Sequence, residues 1–411
     1  MKIGILTYHA ACNFGANLQA LSTFNYWLNS GHEPIFINWM TQELEDMYLR
    51  ITPPKQLEEH KRFREKYFPM TRRCYNDEDV VSVIEEEGID AIIVGSDAVM
   101  QTRPMKSRYK LSLRKVISIY KPAEDITCPN PFWGSYYSKL ARKIPLIYMS
   151  ASSQNSPYKS SNCKEKRLQK KLLLQYDYIS TRDDWTSKMV SWLTDNTITP
   201  KVTPDPVFAF NYNVPNQPTK RDILVKYGLN EKYCLFCFHN DKAVSQEWLK
   251  KMEKRMNERG VECIAFPFPQ GVEFHHPFKK QIDLPLSPID WYALIKYADY
   301  YIGDNMHPIV ICLHNAVPCF SFDQYGIVKF RYFVNKYSSK IYHILNKFNI
   351  PNNRVSLCGF YKEPTVEYVL NKLDSFNKKE IQKRANSYLE EYKAMMSDIN
   401  MIIASKTDLK S

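Results

Sequence analysis

The sequence predicts an α/β protein: two Rossmann-like domains facing a cleft, with a C-terminal helix crossing back. Three observations lead there. Short apolar runs alternate with segments of helical periodicity through the first half of the chain. After a proline-rich stretch the alternation starts again. The polar residues that interrupt it gather where strands end and helices begin. A chain of 411 residues is long enough to build two cores.

"KIGILTY" reads as the opening strand. "ANLQALSTFNYWLNSG" follows as a helix, with Leu18, Leu21, Phe24 and Leu28 at helical spacing and a stop at Gly31. "PIFIN" is a strand, "DEDVVSVIEEEG" a helix closed by Gly88, and "DAIIVG" a strand. "KIPLIYMSASS", "KRLQKKLLLQYD" and "YISTRD" continue as strand, helix and strand. Parallel neighbours need crossovers, so this rhythm implies a parallel sheet covered by helices on both faces. "VTPDPVFAFNYNVPNQPTK" holds four prolines and marks a boundary.

Beyond it come the strand "KYCLFCF", the helix "SQEWLKKMEKRMNERG" and the strand "VECIAFPF". "SPIDWYALIKYA" is a helix with Ser287 as its N-cap, "DYYIGD" a strand, "PIVICLHNA" a helix and "VPCFSF" a strand. The tail from Thr365 to Lys406 is helical. The expected units are residues 1–212, 213–345 and 346–411, the last packing on the first. Two such domains with a cleft between them form the architecture called GT-B.

In these sheets ligands bind beyond the carboxyl ends of the strands. The candidates therefore lie in "TYHAACNFGANLQ", "GSDAVMQ", "SASSQNS", "TRDD", "PDP" and "GDNMHP". Taken singly, Ser96, Asp97 and Asp183 read as helix caps. His307 precedes Pro308 at a helix start, where N–H groups and the dipole favour an anion. An anion there would raise its pKa and make it a proton donor. Arg182 at a strand end can fork two N–H groups onto a carboxylate or phosphate. His239 is a second cleft candidate, while His314 reads as core or helix surface and His275 and His276 as surface.

The formal net charge is +12, yet no helix-turn-helix, zinc finger or RNA-binding signature accompanies it, so nucleic acid is not the expected partner. A phosphorylated substrate or an anionic membrane would use the same field. The acid-free run Arg103 to Lys115 carries six bases and reads as a solvated loop. Ten cysteines fall singly inside apolar runs, which fits reduced thiols. Cys234 and Cys237 read as core within a strand, and no cysteine or histidine set has metal spacing. "MKIGILTYHA" is too short for a signal peptide, and no run reaches the ~18 apolar residues of a membrane span. The protein is expected in the cytoplasm, with peripheral association at the inner face of the membrane.

Taken together the motifs resemble the polysaccharide pyruvyl transferase family. The carrying residues are Asn13-Phe14-Gly15-Ala16-Asn17-Leu18-Gln19-Ala20, Asp90 to Val99 with Met100 in place of the family's Trp, and "YMSASSQ". Ser180-Thr181-Arg182-Asp183, Asp205-Pro206 and Ala298 to His307 complete the set, with Asn305 for Ser and Pro308 for Gly. The match runs from residue 1 to about 325. The resemblance implies transfer of an enolpyruvyl group from phosphoenolpyruvate to a sugar as a ketal, with phosphoenolpyruvate as co-substrate and no cofactor or metal. The acceptor is a sugar of a surface polysaccharide or its lipid-linked precursor. It implies His307 as general acid, with Asp97 catalytic in holding or deprotonating the sugar. Arg182, Asn305 and His239 then bind phosphoenolpyruvate, and Asn13, Asn17, Gln19 and Ser96 the acceptor. Pro308 removes one N–H from the anion-binding turn, and Met100 alters the loop facing the acceptor. A nucleotide-sugar glycosyltransferase and a non-catalytic glycan-binding module are the competing classes.

Overall fold

The computed structural model describes residues 1–111, 117–239, 241–329 and 332–408. The first unit contains β1 (Lys2–Leu6), α1 (Phe14–Asn29), β2 (Glu33–Phe36), α2 (Gln42–Ile51), α3 (Pro54–Tyr67), α4 (Asp77–Glu86) and β3 (Ala91–Asp97). It continues with β4 (Leu146–Ala151), α5 (Cys163–Leu173), β5 (Tyr178–Thr181), α6 (Asp184–Leu193) and β6 (Lys201–Val202). The second contains α7 (Lys220–Tyr227), β7 (Tyr233–Cys237), α8 (Gln246–Asn257), β8 (Glu262–Ala265), β9 (Lys280–Gln281) and α9 (Pro288–Lys296). Then follow β10 (Tyr300–Gly303), α10 (Met306–His314), β11 (Cys319–Asp323), α11 (Lys340–Lys347), β12 (Arg354–Ser356), α12 (Val366–Asp374) and α13 (Lys378–Asp408). Two antiparallel hairpins stand outside the main sheets: Tyr109–Leu111 with Ile117–Ile119, and Ile327–Lys329 with Phe333–Asn335.

Both main sheets are six-stranded and parallel throughout. The first runs β2-β1-β3-β4-β5-β6 and the second β9-β8-β7-β10-β11-β12. Counted within its own unit, the second is the 3-2-1-4-5-6 order of a Rossmann fold. The expected GT-B-like pair of domains is what the chain forms.

Alternating residues explain why the strands read as near-continuous apolar runs. Ile3, Ile5, Ile93 and Met149 face a central core between the sheets, while Leu6, Ile92, Val94 and Tyr148 face an outer one. In β7, Leu235 and Cys237 face the central core, while Cys234 and Phe236 face the opposite side. Cys234 and Cys237 therefore point to opposite faces of one strand, and both are free, buried thiols. Parallel strands buried on both faces need apolar side chains at every position.

α1 is the bracket between the domains. Every residue from Phe14 to Phe24 is buried, and Phe14 stacks on Trp291 of α9 with ring centroids 5.3 Å apart. Phe14 N–H also donates to the Pro269 carbonyl. A helix sandwiched in this way loses its one-sided stripe. Leu28, placed on that stripe by spacing, is exposed, and Trp27 is buried instead.

The second sheet extends past the expected boundary at residue 345, taking in β12. Only α13 crosses back. Its Met395 sulfur lies 3.3 Å from Ser150 Oγ and 3.4 Å from Ser180 Oγ, on the first sheet. Its Tyr392 meets Tyr26 edge-on. No described helix is long and apolar enough to cross a membrane.

Candidate active site

In each sheet the strand order reverses beside the first strand of its unit, between β1 and β3 and between β7 and β10. Ligand crevices open at such points, beyond the carboxyl ends of the strands. Here the two crevices face one another and share a cavity of about 470 Å³. The segment after β1 supplies Tyr8 and Asn13, and the end of β3 supplies Asp97 and Ala98. His239 follows β7, and Asn305 and His307 follow β10. Asp125, Tyr325 and Lys340 also lie on the polar wall, with Glu43 at its edge.

Local chemistry seats these groups. Asn13 caps α1, its side chain accepting the Ala16 N–H. Asn305 caps α10, with Oδ1 accepting the His307 N–H at 3.1 Å. Asp97 has φ of 81°, a conformation costing a non-glycine residue about 1–3 kcal/mol, and it ends β3 at the cavity wall.

His307 is 7% exposed, and its ring rests on Gly15 of α1. A Cβ at Gly15 would lie 2.7 Å from His307 Cε1 and closer still to Nδ1 and Cγ. Glycine there is a clearance for the imidazole. Among the described residues His307 Nε2 has no hydrogen-bond partner. Burial lowers the His307 pKa to about 4, although the Asp205 and Asp97 carboxylates pull it upward. Without a ligand the imidazole is neutral near pH 7.

Arg182 is fully buried behind the cavity wall. Its Nη1 donates to Asp205 Oδ2 at 2.7 Å, and Nη2 lies 3.8 Å from Asp97 Oδ1. The adjacent Asp183 and Asp184 make no ion pair with it. Asp183 instead caps α6, and Asp205 takes the guanidinium. Burial opposes the Asp205 charge, but Arg182 and His307 hold its pKa below the ordinary carboxylate value. Arg182 thus stands one layer back, bracing Asp97.

Lys340, at the start of α11, was not singled out from sequence. It is buried, with Nζ 4.3 Å from the Tyr325 ring centroid. No carboxylate among the described residues pairs with it within 4.0 Å. Burial, helped by Arg182, lowers its pKa to about 8, so it remains mostly charged at neutral pH. A desolvated cation facing a cavity is a strong anion site. Asp304, beneath the wall, accepts the His239 N–H at 3.0 Å, and burial raises its pKa to about 7.

Several sequence candidates sit elsewhere than on the wall. Asn17 is completely buried, donating to the His9 and Ala11 carbonyls and meeting His60 Nδ1 at 2.8 Å. Gln19 donates to Asp205 at 2.5 Å, and Ser96 Oγ donates to the Ser150 carbonyl. These three support the loops that carry wall residues. Met100 is packed in the outer core of the first domain, so its exchange for tryptophan is a core change. His314 is half-buried against Asn211, while the His239 ring is exposed and lies 4.8 Å from the Phe268 ring. The first turn of α10 has fewer free N–H groups than expected, since Asn305 takes one and Pro308 has none. Charge for an anion must come from side chains. No group of histidine, cysteine or carboxylate residues among those described could hold a metal.

Two Rossmann-type domains closed on a shared polar cavity, with a buried histidine and lysine and a half-buried aspartate on its wall, define a GT-B-like α/β protein. Within that class the chain belongs to the polysaccharide pyruvyl transferase family, whose model matches residues 13–324. Among solved structures it is similar in fold to UDP-N-acetylglucosamine 2-epimerase from Rickettsia bellii. Identity is 12% and the TM-score 0.51, over 99% of this chain and 97% of that one. UDP-GlcNAc 2-epimerase from Methanocaldococcus jannaschii is also similar, at 9% identity and a TM-score of 0.48, over 95% of this chain and 100% of that one. Among curated proteins no sequence matches this chain.

Proposed function

We propose that this enzyme transfers the enolpyruvyl group of phosphoenolpyruvate to two hydroxyls of one sugar, forming a pyruvate ketal and releasing phosphate. The observation that carries the reading is the wall itself. A neutral, unpartnered His307 Nε2 stands in the same cavity as an unpaired Lys340 and the Asp97 carboxylate.

Each group has work in that reaction. Lys340 supplies positive charge for the phosphate or carboxylate of the donor. Arriving as an anion, the donor raises the His307 pKa from its low resting value, in the direction that Asp97 and Asp205 already pull. His307 then gives its proton to the methylene carbon, leaving a cation-like C2. A sugar hydroxyl attacks C2 as Asp97 takes its proton. Phosphate leaves, and a second hydroxyl closes the ketal. One hydroxyl proton is thereby balanced by the new methyl C–H and the other leaves with phosphate. Arg182 orients Asp97 from behind, Asn305 positions the His307 backbone, and His239 and Asn13 line the two sides. The acceptor is a sugar of a polysaccharide or its lipid-linked precursor.

Turnover in D₂O tests the reading. Any acid on the enzyme exchanges with solvent, so each pyruvyl group formed is expected to carry one deuterium in its methyl, read by mass spectrometry of the glycan. A pyruvylated product without deuterium would refute protonation at carbon. Phosphoenolpyruvate left unconsumed while a nucleotide sugar is used would refute the donor.

A further inference from the structure

We infer that the mouth of the cavity is a docking surface for an anionic lipid bilayer, built from the two hairpins that flank it. Each hairpin is attached directly to the cavity. The first ends at Tyr120, which lines the cavity from the side of the first domain. The second begins beyond Tyr325 and ends before Lys340, both of which line it from the other side.

Both hairpins leave large apolar side chains in water. In the first, Tyr109 and Ile119 face one another across the ladder and are 52% and 62% exposed. In the second, Tyr332 and Phe333 are 65% and 71% exposed. Phe360 joins them, since the neighbouring Gly359 packs on the Tyr332 carbonyl and the Val334 side chain, and Phe360 is 81% exposed. Burying one such side chain gains about 1.5–3 kcal/mol, and a protein that leaves five uncovered around one opening forgoes that gain unless something else covers them.

Charge identifies the occupant. Arg103, Lys106, Arg108 and Lys121 around the first hairpin and Lys336 in the second are bases, and no described residue of segments 103–121 and 326–339 is acidic. Lys336 is exposed and its Nζ lies 5.3 Å from the Tyr337 ring centroid, pairing base with aromatic at the rim. Aromatic side chains interleaved with bases suit the boundary between anionic headgroups and acyl chains, where tyrosine and tryptophan gather and lysine meets phosphate. A second protein would not require so uniform a sign of charge. The acid-free run that reads in sequence as a solvated loop thus gains a partner, and the cavity opens toward the bilayer surface.

The test is co-sedimentation of the full chain with phosphatidylcholine vesicles, with and without phosphatidylglycerol, at low and high salt. The expected result is binding only when phosphatidylglycerol is present, weakening as salt rises. Lys336→Gln is expected to lower the partition about fivefold. Phe333→Ser with Phe360→Ser, and separately Tyr109→Ser with Ile119→Ser, are expected to lower it further while melting as the wild type does. Should either pair fail to fold, Lys336→Gln alone decides. Equal binding to neutral vesicles, no binding at low salt, variants that bind as wild type, or capture by a soluble polyanion but not by vesicles would each overturn the inference. Binding is read without turnover, so failure here leaves the pyruvyl-transfer reading standing.

Discussion

Gly15→Ala is the most direct perturbation of the His307 geometry, because it adds one methyl group at a distance from every reacting atom of the donor. The added carbon would sit 2.7 Å from Cε1 of the imidazole and nearer to two other ring atoms. Carbon contacts settle at about 3.5–4.0 Å, so the ring must retreat by roughly 1 Å. It cannot do so freely: its backbone is held by the Asn305 cap, and its surroundings are packed. Overpacking of this kind costs about 1–3 kcal/mol. Replacing helical glycine by alanine returns up to ~1 kcal/mol. The net loss, about 0–2 kcal/mol, is survivable for a protein whose stability is in the usual range of 5–15 kcal/mol. Catalysis is less forgiving, since a displacement of ~1 Å costs about 10²-fold. The expected result is a folded enzyme with a small drop in melting temperature and about a hundredfold loss of phosphate release from phosphoenolpyruvate. His307→Gln, which removes the acid altogether, sets the floor at about 10²–10⁴ below wild type. A folded Gly15→Ala enzyme with wild-type turnover would refute the role given to the imidazole position.

Lys340→Met keeps the length of the side chain and removes its charge. Losing a charge-assisted contact of about 1.5–3 kcal/mol should weaken phosphoenolpyruvate binding about 10- to 150-fold, with stability unchanged or raised; unchanged calorimetric affinity would remove Lys340 from the donor site. Stability should fall as pH drops below about 6.5, where free histidine titrates. Burial holds His9, His307 and His314 near pKa 4 and His60 near 3, so the unfolded chain takes up protons that the native state refuses. This stability is present in full above pH ~6.5 and is lost below it by about 1.4 kcal/mol per histidine per pH unit, opposed by Asp304, whose pKa is raised to about 7. A melting temperature that holds steady or rises from pH 7 to pH 5.5 would contradict this.

Local sequence determined the fold class because its signals are local. Every strand of four residues or more in the central sheets shows as an apolar run, and most helices announce themselves by periodicity or a cap, as Ser287 does for α9. The edge strands β6, β9 and β12 have only two or three residues, too few for a period to register. The rule that ligands gather at carboxyl strand ends also sufficed to place Asp97, His239, Asn305 and His307 on one cavity, which the tertiary structure then assembled from two sheets. What sequence could not decide was which polar side chains face inward. Asn17, Gln19 and Ser96 lie in the expected loops, yet each is consumed by a partner distant in sequence, His60, Asp205 and Ser150. Lys340 is the reverse case: a lysine opening a helix ordinarily lies in water, and only the closure of the cavity around it strips that water away and shifts its pKa. Burial and charge pairing are properties of the packed whole, set by residues far apart in the chain, so no local pattern of residues carries them.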